Sequence, residues 1–233
     1  MALEPQGVDV AGVVERLRHA NRRIVQTVEW ARAATEVWTV FNEFEDRMTV
    51  AHSPAQEAAH VYERASLDAR IVMITRVLDR PGRGRIMEQN RLSFPVCREL
   101  MAQPGVMDWL IQDADDRDIL ENRRGPAVRE RCPAFLDLLA EIETEADPNR
   151  AQLLRDFRDE NIAHELRFDE LRARPEFQHL HSLLRDVQTL TEHLAMIVQG
   201  ERVLWRDGNV ARSATALWQA VADRFRDDEP EFA

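Results

Sequence analysis

The chain is 233 residues long and 44% apolar, and its 31 basic and 42 acidic side chains leave a net charge of −11. That content suits one large domain, or a domain with an appendage. The acid excess argues against a protein that coats nucleic acid by neutralising phosphates along its length. No stretch approaches the roughly 18 uninterrupted apolar residues of a membrane-spanning helix, which excludes a transmembrane protein. The segment MALEPQGVDVAGVVERLRHA lacks the basic leader and apolar run of a secretory signal, so the expected location is cytoplasmic, with no membrane partner.

Taken in chain order, the periodicity is helical. Val14, Leu17, Ile24, Val28, Ala31, Val37, Trp38, Phe41 and Phe44 recur at three- and four-residue steps, with no proline or glycine between 13 and 52. This predicts one long helix, or two with a kink. Ser53-Pro54 is a cap residue followed by a first-turn proline and opens a second helix, which ends at Pro81-Gly82. Prolines and glycines break 92–147 into short helices around Val96–Met101, Val106–Leu120 and Phe135–Ala146, read as an insertion or connecting arm. Its acidity stands out, because residues 101–147 hold 12 acids against 5 arginines. Asp147-Pro148 repeats the cap-proline signal and opens an amphipathic helix through Leu153, Leu154, Phe157, Ile162 and Leu166.

A fourth long helix is expected from about Glu176 to Val198, stopped by Gly200, and a short one around Ala214–Phe225. The acidic tail 227–233 reads as disordered. The prediction is therefore all-α, a bundle of four long helices with additional short helices. The bundle spans 1–200 with the insertion at about 92–147, and 201–226 forms a C-terminal helical extension.

Every basic residue is arginine, so a Schiff-base lysine and a P-loop lysine are excluded. A genome rich in G and C explains the bias most simply, yet the planar arginine fork suits oxyanions. In the turn RVLDRPGRGRIMEQNR, Arg76, Arg80, Arg83 and Arg85 form the clearest local basic spot, read as an RNA-binding rim or as a solvated loop. Cys97 and Cys132 are too few for a zinc knuckle or a disulfide framework. Histidines do not recur in the Glu-x-x-His pattern of helical metal sites, so no metal and no cofactor is expected. The five tryptophans read as core or interface anchors.

The most informative segment is Arg158-Asp159-Glu160-Asn161-Ile162-Ala163-His164. His164 is the side-chain type that exchanges protons near neutral pH. Arg158 is a permanent cation that can hold a phosphoryl group as charge builds. An arginine, a polar residue directly after it and a histidine separated from the arginine by five residues resemble the signature of the HEPN superfamily, an Arg and a His separated by four to six residues. EWARAATEVW near the start and RVLDRPG after the second helix are similar to the abortive-infection branch, the likeness covering 1–90 and 148–200.

The resemblance implies a metal-independent endoribonuclease acting as a toxin or in phage defence. In it, His164 helps the ribose 2′-hydroxyl attack the adjacent phosphate while Arg158 steadies the five-coordinate transition state, giving a 2′,3′-cyclic phosphate and a 5′-hydroxyl. On a regular helix, six steps leave Arg158 and His164 roughly 120° apart and about 9 Å along the axis. The resemblance resolves this with two motifs facing each other across a homodimer. Asp159 is read as orienting Arg158 or the histidine, or as a plain surface charge, and Asn161 as a side chain with a partner. RNA, such as tRNA, and an antitoxin protein are the partners such a toxin implies. The alternative is a non-catalytic HEPN-like protein-interaction module, and a third reading is nucleotide binding or modification.

Overall fold

Asp9 starts the first helix, its Oδ1 accepting the Gly12 backbone N–H at 3.0 Å. From there α1 runs unbroken over Val10–Glu43. The computed structural model describes residues 8–45, 47–117, 124–146, 149–163, 175–205 and 208–226. Phe44 adopts an extended backbone and ends α1, and a five-residue α2, Arg47–Ala51, follows. Ser53 does not cap the next helix. Its hydroxyl accepts from the Ala55 N–H at 3.1 Å and donates to the Val50 carbonyl at 2.8 Å. The two bonds make a local turn of a kind serine favours, and α3 begins later, spanning Gln56–Val77.

The middle of the chain holds a 3-10 turn at Ile86–Glu88, then α4, Phe94–Met101, α5, Val106–Arg117, and α6, Arg124–Thr144. Here the sequence reading needs correction at Pro133, which does not break the helix. Gly125 and Pro126 fall in the first turn of α6, where a missing N–H costs nothing. Pro133 lies inside the helix, where its ring and lost hydrogen bond cost roughly 3 kcal/mol or more. Full burial of Phe135, Leu139 and Ile142 just beyond it offsets that, at about 1.5–3 kcal/mol for each large apolar side chain.

The expected third long helix is also different. Asn149 is the cap, its side chain accepting from the Gln152 N–H at 2.8 Å, and α7 covers only Arg150–Phe157. Arg158–Ala163 then forms a π-helical turn, wound wider through i→i+5 bonds. The Asp147-Pro148 signal, Leu166 and the tail 227–233 lie outside the described residues. Next, α8 spans Phe177–Gln199, opened by Glu176 in a reciprocal cap with His179 and closed by Gly200 at φ 68°, a left-handed cap glycine adopts without strain. Finally α9, Asn209–Arg226, is longer than the expected short helix.

The fold is all-helical among the described residues, and its longest members are α1, α3, α6 and α8. Helix α1 packs along α3, α8 and α9, while α6 packs on α8 and α5. The main core joins Leu17 and Ile24 of α1, Ile71 and Ile74 of α3, and Leu183 and Leu190 of α8. Phe94, Leu100, Leu110, Phe135 and Leu139, from α4, α5 and α6, belong to the same core, so the helices of 92–147 help to build it. A separate small cluster, Phe41, Val50, Ala59, Trp218 and Ala222, sits where α9 meets the end of α1.

Candidate functional site

Arg158 opens the π turn and reaches sideways to α3. Its Nη1 donates to Thr75 Oγ1 at 3.1 Å and to Asp79 Oδ1 at 3.2 Å, and its Nε donates to Asp159 Oδ1 at 2.8 Å. Thr75 lies in the last turn of α3 and Asp79 just past its end. Partial burial opposes the charged form of Arg158, but the hydrogen bonds and charges of Asp159 and Asp79 outweigh it, and its pKa rises. The guanidinium is a fixed cation.

A second arginine stands one turn earlier. Arg155 Nη2 donates to the Leu78 carbonyl at 2.7 Å, satisfying an orphan acceptor at the end of α3. Its Nε is buried with no hydrogen-bond partner among the described residues. Burial lowers its pKa, and the charges of Arg80 and Arg158 push the same way against Asp79 and Glu143. The loop after α3 is braced from both sides: Ser93 Oγ donates to the Asp79 carbonyl at 2.7 Å, and Arg91 Nη1 to the Arg80 carbonyl at 2.6 Å. Arg158 thus contacts the Asp79 carboxylate directly, and Arg155 feels the charges of Asp79, Arg80 and Arg158.

Of the basic turn, Arg76 sits exposed in the last turn of α3 beside Thr75, and Arg80 is exposed beside Asp79. Arg83 and Arg85 stand farther out on the loop, and Arg85 comes within 3.9 Å of Glu88. Gln89 ties the turn together through the N–H and carbonyl of Gly82, at 2.7 and 3.1 Å. Asn161 Nδ2 is buried without a hydrogen-bond partner among the described residues. His164 lies outside the described residues. Because the turn from Arg158 is π-helical, the regular-helix spacing does not apply across it.

A family model described as AbiU2, of the HEPN type, matches residues 15–232. The chain belongs to the AbiU2 family of HEPN proteins. No curated protein and no solved structure matches it. The AbiU2 match runs through α4, α5 and α6, so the abortive-infection likeness extends across 92–147 as well. Among the described residues of this AbiU2 chain, no three His, Cys, Asp or Glu side chains group to hold a metal. No described helix is long and apolar enough to cross a membrane.

Sequence reasoning missed three members of this site. Thr75 and Asp79 meet Arg158 across 83 and 79 residues of chain, farther than any local pattern reaches. Arg155 precedes Arg158 by three residues, a spacing that puts both on one helix face.

Proposed function

We propose that this AbiU2-family protein is a metal-independent endoribonuclease, a toxin or phage-defence effector that cleaves RNA at a site shared by two copies of the chain. The observation that carries the reading is Arg158, a cation of raised pKa fixed by Asp159, Thr75 and Asp79 and flanked by Arg155 and Arg80. In the reaction His164 takes the proton of the ribose 2′-hydroxyl, the 2′-oxygen bonds to phosphorus, and the bond from phosphorus to the 5′-oxygen breaks. The leaving 5′-oxygen takes up a proton, giving a 2′,3′-cyclic phosphate and a 5′-hydroxyl.

Arg158 bears on the equatorial oxygens as their charge grows, a kind of stabilisation worth about 10²–10³ in rate. Exposed Arg76 and Arg80 supply a basic approach within an otherwise acidic molecule, which suits one folded RNA such as tRNA.

The test is purified protein with total RNA in EDTA, alongside Arg158→Ala and His164→Ala of verified fold. Cleavage is expected to fall at least 100-fold in both variants, and a solution mass measurement is expected to give a dimer. Equal cleavage by all three proteins defeats the assignment, and a strict monomer defeats the shared site. One observation favours a second reading, a non-catalytic interaction module: two carboxylates already neutralise Arg158. That reading predicts no cleavage by any form.

A further inference from the structure

Arg70 of α3 has no solvent exposure. None of its guanidinium nitrogens, Nε, Nη1 or Nη2, has a hydrogen-bond partner among the described residues. A fork of five N–H donors is buried against two rings instead. Its Cζ lies 5.5 Å from the Trp38 ring centroid and 5.1 Å from that of Phe177, and the rings stack on each other at 4.5 Å. Cation–π attraction offsets only part of the cost of taking a guanidinium out of water. Burial lowers its pKa to about 10, which still leaves it charged at neutral pH. Charges inside proteins are paired or meet a counter-ion, and Arg70 meets neither among the described residues.

The same two rings form part of the wall of a cavity of about 270 Å³. Its remaining lining is largely apolar, with Leu67 and Ile71 of α3, Leu154 and Phe157 of α7, and Leu180 of α8, and it also carries the charged Arg64 and Glu176; Arg70 does not line it and is separated from it by the two rings. Phe177 is the first residue of α8 and its side chain is the exposed member of the ring pair, at 45%. It is the ring most free to turn aside.

We propose that this cavity is the binding site of a small amphipathic anion, its apolar body against Leu67, Ile71, Leu154 and Phe157 and its carboxylate or phosphate on the Arg70 fork in place of the Phe177 ring. Both headgroups match the fork with paired hydrogen bonds. A neutral apolar molecule leaves the cation uncompensated, and an amine adds a second positive charge. The volume equals about nine waters at roughly 30 Å³ each, room for a chain of about eight carbons. The site stands apart from the proposed ribonuclease activity, although Phe157 joins it directly to Arg158.

The experiment titrates full-length protein with octanoate, octyl phosphate and 1-octanol, reading calorimetric binding and Tm, and repeats the series on Arg70→Met. At about 100-fold excess over Kd, an anion that fits is expected to raise Tm by about 5–10 °C. 1-Octanol at equal concentration is expected to give less than a third of that shift. Whichever of octanoate and octyl phosphate binds tighter identifies the headgroup. Unliganded Arg70→Met is expected to melt above wild type, because a buried uncompensated charge is gone, and to ignore both anions. Tm shifts with the anions in Arg70→Met equal to those of wild type overturn the proposal by showing that the cation does not hold the headgroup. Equal shifts with 1-octanol, or no binding of either anion to wild type at millimolar concentration, overturn it too. The wild-type titration decides alone if the variant does not fold.

Discussion

Removing the carboxylate of Asp79 tests how firmly Arg158 is held before any substrate arrives. The pair meets at 3.2 Å with side chains 22% and 28% exposed. Two unit charges at that distance attract by about 5 kcal/mol at an effective dielectric of ~20. Desolvation of both groups takes back much of this, and Asp159, 2.8 Å away, shares the same guanidinium. A net coupling of about 1–2 kcal/mol is expected, above the ~0.2–1 kcal/mol of exposed pairs. Urea unfolding of wild type, Asp79→Ala, Arg158→Ala and the double variant measures it as a double-mutant cycle. If Asp79 also positions Arg158 for RNA cleavage, the same energy corresponds to about 5- to 30-fold in the rate of Asp79→Ala. A coupling below about 0.3 kcal/mol would refute the reasoning.

Two further outcomes concern stability. Asn21 is fully buried in α1 and its amide oxygen and nitrogen lack partners among the described residues. Asn21→Leu, with the same number of side-chain heavy atoms, is expected to stabilise by about 1 kcal/mol or more, seen as a Tm rise of about 2–4 °C; a lower Tm counts against the unsatisfied amide. His193 is held below its usual pKa of 6.5, first by burial and then by the Arg131 charge, against Glu192 and Glu130. The unfolded chain therefore binds a proton near pH 6.5 that the folded chain refuses, so stability falls as pH drops from about 6.5 to the lower folded value. His193→Gln is expected to flatten the dependence of Tm between pH 7 and 5, and parallel curves would contradict the assignment.

Legibility followed the range of the forces involved. Helix α8 was readable within a few residues, because Leu180, Leu183, Leu184, Val187, Leu190 and Leu194 repeat at helical steps and Gly200 supplies the stop. Helix α6 was not, since the local penalty of Pro133 is overridden by distant partners such as Phe94, which meets Phe135 edge-on at 6.0 Å. The π turn at Arg158–Ala163 was also invisible. No spacing in the sequence signals the choice between i→i+4 and i→i+5 bonds, and Arg158 is tethered there to α3. Adjacency made Asp159 a readable partner for Arg158, while Thr75 and Asp79 needed the packing of α7 on α3. Arg70 was legible in principle: it follows Ser66 by four residues and precedes Ile74 by four, placing a charge on the buried stripe of α3.

The small cluster at the far end of α1 divides the molecule into two units of unequal strength. Trp218 anchors it, 4.7 Å from Phe41 and 5.3 Å from Tyr62 by ring centroids, and few other side chains are fully enclosed there. With so few enclosed side chains, α9 is expected to detach at a lower cost than global unfolding. Its departure would uncover Phe41 and Tyr62 together, leaving a sticky aromatic end on an otherwise intact body. A protease nick ahead of Asn209 would therefore favour clumping of folded molecules over their collapse.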